Sequence, residues 1–122
     1  MDNEFPSDNG HLRPEEKKLA WDALLAITRI NRFLAAAAAP RSDELIRAAV
    51  ERQLDIIGEA LARLVRSNPK WSGDLPGLPR IVALRHILRQ GWASGDADLV
   101  WTITEQNLPG LQSRLREMIE RA

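Results

Sequence analysis

The chain reads as an all-α protein, an antiparallel bundle of four to five helices. Two observations carry that reading. Apolar residues recur by threes and fours, the spacing that lays one stripe along a helix, and no stretch alternates with period two as a half-buried strand would. All 7 prolines lie outside the periodic segments or at their edges, where they punctuate helices instead of breaking them. At 122 residues the chain suits one modest core and is short for two ordinary domains.

Residues 1–13 are polar, carry Pro6, Asp8, Asn9 and Gly10, and have no apolar period, so they read as a disordered tail ahead of a single domain over 14–122. Pro14 with Glu15 and Glu16 marks a helix start, because proline tolerates the first turn and carboxylates complement the positive helix end. This first helix should run to about Ala38 on the stripe Leu19, Ala23, Ile27, Ile30, Leu34 and Ala37, and stop before Pro40. Ser42 is the expected cap of the second helix, with Asp43 and Glu44 in its first turn. Its stripe is Ile46, Val50, Leu54, Ile57, Leu61 and Leu64, ending near Ser67-Asn68-Pro69.

PKWSGDLPGLP is too rich in proline and glycine to continue a helix and reads as a loop. A third helix follows from about Pro79 to Gln90, with Ile81, Leu84, Ile87 and Leu88 apolar and Gly91 as its stop. After the turn ASGD, residues 97 to about 106 form a fourth helix, which Pro109 bends or restarts. The last helix places Leu111, Leu115, Met118 and Ile119 on one face, and Trp71 and Trp101 read as core. Ile56 and Ala60 widen the second stripe beyond one face, an excess of apolar surface that predicts a homodimer formed through helix faces.

Composition narrows the function. Lys plus Arg number 17 against 17 for Asp plus Glu, so any nucleic-acid contact must come from local charge. The absence of cysteine excludes disulfides, thiolate metal sites and a cysteine nucleophile, and makes the cytoplasm the expected compartment. No signal peptide or membrane span is expected. The only histidines, His11 and His86, are too few and too far apart for a metal site, and no phosphate-cradling glycine loop is present, so no cofactor is expected.

AVERQLDIIGEALARL at 49–64, NPKW at 68–71, ALRHILRQGW at 83–92 and DADLVWTITEQNLPGL at 96–111 resemble, in order and separation, the HepT-like branch of the HEPN family. The resemblance spans residues 15–120. It implies a toxin partner of a minimal nucleotidyltransferase, a dimeric HEPN-type bundle with an RNA-facing cleft at the dimer interface, and a metal-independent ribonuclease motif of Arg, four residues and His, followed two residues later by Tyr. Such chemistry needs a base for the ribose 2′-hydroxyl and fixed positive charge on the phosphoryl oxygens, tasks suited to histidine and arginine.

On this chain the family arginine falls on Arg85, the following position on His86, the histidine on Gln90 and the tyrosine on Trp92. A carboxamide has no proton-accepting equilibrium near neutrality, so Gln90 is not a general base. Trp92 has no hydroxyl and the chain has no tyrosine, which rules out silencing by tyrosine adenylation. His86 lies one helical turn before Gln90 and is the candidate replacement base. Arg80, Arg89 and Trp92 are the candidate RNA-binding residues, while Glu59 either orients an arginine or faces water. Two readings follow: a toxin–antitoxin component with a degenerate ribonuclease site, or a catalytically inactive binding module for a nucleotidyltransferase.

Overall fold

The computed structural model describes residues 11–90 and 97–121. Among the described residues there are five α-helices: α1 (Pro14–Ala36), α2 (Glu44–Ser67), α3 (Leu78–Arg89), α4 (Ala97–Gln106) and α5 (Leu108–Arg121). No strand occurs among the described residues. The expected Gly91 stop, the ASGD turn and Trp92 lie outside the described residues, as do residues 1–10 of the expected tail.

The long helices α1 and α2 form an antiparallel hairpin that is the most extensive packing in the molecule. Its direction is fixed by contacts between the start of α1 and the end of α2, where the Arg13 guanidinium donates to Ser67 Oγ at 2.6 Å. Helix α5 lies against α1, α3 against α2, and α4 bridges α3 and α5. The core forms where the stripes face inward. Ala23, Ile27 and Ile30 from α1, Val50, Leu54, Ile57, Leu61 and Leu64 from α2, and Leu111, Leu115 and Met118 from α5 are buried. Trp71 and Trp101 are core residues too. No helix among the described residues is long and apolar enough to cross a membrane.

Four details differ from the sequence expectation, each for a local reason. The cap of α2 is Asp43, not Ser42: its carboxylate accepts from the amides of Leu45 and Ile46 at 3.0 and 3.2 Å. Pro40 starts a 3₁₀ turn over Pro40–Ser42 that takes in Ser42 and leaves Asp43 at the capping position. Helix α1 ends at Ala36, with Ala37 already extended. The stretch after α2 is packed structure, since Pro69–Gly73 form a second 3₁₀ turn and Trp71, Leu75 and Leu78 are buried. Finally, Leu12 and Arg13, expected in the polar tail, belong to the packed structure: Leu12 is buried and Arg13 caps α1.

Pro109 restarts the chain as a helix instead of bending it. It occupies the first turn of α5, where its missing amide donor costs nothing. Gly77 precedes α3 with φ of 78°, a left-handed conformation, and a Cβ there would stand 2.9 Å from Asn107 Cβ. That glycine sets the direction in which α3 leaves the loop.

Candidate functional site

Helix α3 carries Arg85, His86 and Arg89, with Gln90 as its C-cap, and α2 determines how the two arginines are held. Asp55 and Glu59 lie one turn apart on α2, so both carboxylates project toward α3. Arg85 donates to Glu59 through Nη2, and its Nε faces Asp55 Oδ1 at 3.3 Å. Arg89, one turn further along α3, donates from Nε to the same Asp55 oxygen at 3.2 Å. Of the two sequence readings of Glu59, the structure supports the one in which it orients an arginine. Asp55 was not singled out from the sequence, although its i,i+4 spacing to Glu59 was the available signal.

Gly58 gives Arg85 its place. A Cβ on Gly58 would stand 2.6 Å from Arg85 Cδ and 3.3 Å from its Cβ, so the arginine stem lies across the bare α2 backbone. The side chain is 17% exposed, which keeps the guanidinium at the edge of solvent with its stem covered. Gly58→Ala sets a helix-propensity gain of about 1 kcal/mol against a steric cost of about 1–3 kcal/mol, so stability falls by at most roughly 2 kcal/mol. The displaced stem moves the guanidinium. The expected result is a shifted Arg85 Nε–H resonance in NMR with a modest loss of Tm; an unshifted resonance would refute the close approach.

Glu59 remains ionised. The hydrogen bond from Arg63 Nε holds its carboxyl below the usual carboxylate range; partial burial opposes this, and the charges of Arg85, Arg63 and Arg66 add to the lowering. The anchor of Arg85 is therefore a carboxylate throughout the neutral range.

His86 and Gln90 point to solvent on the neighbouring strip of α3, with Gln90 Nε2 3.1 Å from His86 Nε2. An amide nitrogen can only donate, so in this arrangement it binds the imidazole lone pair that a general base needs. Turned over, the amide oxygen would instead accept from a protonated ring nitrogen, and Gln90 can serve either form. Arg80 is exposed five residues before Arg85, about 140° around the helix, and stands apart from the Arg85–Arg89 pair. The structure thus brings Arg85, Arg89 and Glu59 together around Asp55 and sets His86 against Gln90 on an adjacent exposed strip of the same helix, while Arg80 stands apart from both.

Fold and site together define an all-helical domain whose third helix seats Arg85 and Arg89 against two carboxylates, Asp55 and Glu59, of the second helix. The comparison with protein families makes the class specific. The family model Ribonuclease HepT-like matches residues 23–118, and the chain belongs to this family. No curated protein and no solved structure matches it.

Proposed function

We propose that this HepT-like protein is a toxin–antitoxin component whose α3 face binds RNA without cutting it, and that its partner is a minimal nucleotidyltransferase. The carrying observation is the state of the motif: Arg85 is seated on Asp55 and Glu59, whereas position 90 holds an amide engaged with His86. A site with its phosphate-binding arginine in place and its base replaced retains affinity and loses proton transfer. No hydrogen bond joins Arg85 Nη1 to another described residue, which leaves donors for a phosphate.

The proposed assembly is a homodimer. Trp21 and Leu25 on α1 are 50% and 48% exposed, large apolar side chains beside a groove of about 510 Å³ that Leu24 and Ile119 also line. Apolar surface of that kind on one helix face favours burial against a second copy. Leu25 also borders a second cleft, which reaches Arg89, so a copy seated there would place the α3 face at the rim of the interface.

The test is incubation of the purified protein with labelled single-stranded RNA in chelator, read both as binding and as cleavage. The wild type is expected to bind and leave the RNA intact, and Arg85→Ala to weaken binding. Cleavage by the wild type that disappears in both Arg85→Ala and His86→Ala would overturn the non-cutting reading and make His86 the base.

A further inference from the structure

The cleft between α1 and α2, about 330 Å³ in volume, contains more positive charge than its own carboxylates balance. Arg29, Arg52, Arg63 and Arg89 line it. Asp55 is shared among Arg52, Arg85 and Arg89, and Glu59 between Arg63 and Arg85, so two carboxylates serve four guanidinium groups. Asp22, the remaining acidic residue of the cleft, is paired with Lys18 at 3.0 Å. Arg29 makes no ion pair or hydrogen bond with the described residues. In a chain of zero net charge this is a local cationic site.

The guanidinium groups are held and still available. Arg52 donates to Asp55 Oδ2 at 3.3 Å and Arg63 to Glu59 Oε2 at 2.9 Å, yet their side chains remain 69% and 60% exposed. Each carboxylate engages only part of a five-donor fork, and the exposed side chains leave further N–H groups available to a ligand. Because Asp55 joins Arg52 to Arg89, the cleft is continuous with the α3 site.

We infer that Arg29, Arg52 and Arg63 form a phosphate-binding track that holds the backbone of a single-stranded RNA as it runs off the α3 face. The inference rests on the proposed RNA-binding reading and extends it to a surface on α1 and α2. These contacts carry no base readout, so they supply affinity and register along the strand, and their binding is salt-dependent.

The experiment uses 2′-O-methyl oligouridylate, which lacks the attacking hydroxyl, so that cleavage cannot interfere with binding. Affinity is measured against salt for the wild type, for Arg29→Gln/Arg52→Gln/Arg63→Gln, for Arg85→Ala, and for a charge-matched control, Arg41→Gln/Lys70→Gln/Arg121→Gln. Glutamine preserves much of the stem packing, and thermal melts check the fold. The cleft variant is expected to bind more than about tenfold more weakly at low salt, with the slope of log K against log salt shallower by about 2, while the control changes by less than half as much.

If the cleft variant matches the wild type while Arg85→Ala is weakened, the track is refuted and the α3 reading stands. The converse pattern upholds the cleft as a phosphate-binding surface and overturns its continuity with an RNA site on α3. Absence of wild-type binding refutes both. Unchanged RNA affinity combined with lost self-association or nucleotidyltransferase binding in the cleft variant would also overturn the inference, assigning the cleft to a protein.

Discussion

Gln90→His is expected to cut single-stranded RNA with no metal added, at least about a hundredfold faster than the wild type, because a positioned base contributes roughly 10²–10⁴ to such a proton transfer. The expectation rests on what the rest of the site retains. Arg85 stays seated on Asp55 and Glu59, so on the proposed reading the charge needed on the phosphoryl oxygens is already in place, and position 90 lies on the exposed strip of α3. An imidazole there replaces the amide that contacts His86 and brings a lone pair to the position where the proposed motif needs a base. The gain should vanish in Gln90→His/Arg85→Ala and survive in Gln90→His/His86→Ala. Failure of the first double variant to lose activity would mean that the new histidine acts elsewhere, and a silent Gln90→His would refute the idea that only the base is missing.

Much of this site was legible because helices are local objects. The apolar period located all five helices, and the family-specific blocks placed Arg85 and Gln90 on α3. What stayed hidden depends on contacts across long sequence separations. That Gly58 is a notch for Arg85 follows from a contact between two helices, and a glycine within an apolar stripe gives no indication of what crosses it. The role of Asp55 was recoverable from its spacing to Glu59, but its sharing among Arg52, Arg85 and Arg89 was not. The Ser42 cap failed on a competing local rule, since the proline two residues earlier set a 3₁₀ turn first. Trp92, the family tyrosine position, lies outside the described residues.

Glu16 is the least expected structural residue, and its removal is the largest predicted loss of stability. From the sequence it is a first-turn acid that complements the helix dipole. In the fold its side chain is 1% exposed and joins three elements. Its Oε1 accepts the Arg13 amide at 2.9 Å, completing the capping of α1, while Oε2 accepts the Ser67 hydroxyl at 2.9 Å and the Trp71 indole N–H at 3.2 Å. Burial alone would push the carboxyl up, but the hydrogen bonds from the Arg13 amide, Ser67, Trp71 and the Arg13 guanidinium more than reverse this and hold it below the ordinary value of 4.5.

Glu16→Ala leaves the buried Trp71 donor without an acceptor and opens the cap, a cost of about 3 kcal/mol and on the order of 10 °C in Tm. Glu16→Gln should cost less, because one oxygen survives while the amide nitrogen meets a donor. A carboxyl held below its ordinary value stabilises the fold above that value and ceases to do so as pH falls through the folded one. The advantage of wild type over Glu16→Gln should therefore be full at neutral pH and shrink as the pH is lowered below 4.5. Urea melts across that range measure it; a difference that is flat or grows on acidification would show that shape, not charge, is what matters at Glu16. Since this cluster fastens the start of α1 to the end of α2, the helix that seats Arg85, Glu16→Ala should also loosen the seat of Arg85, to be seen as faster amide exchange at Asp55 and Glu59.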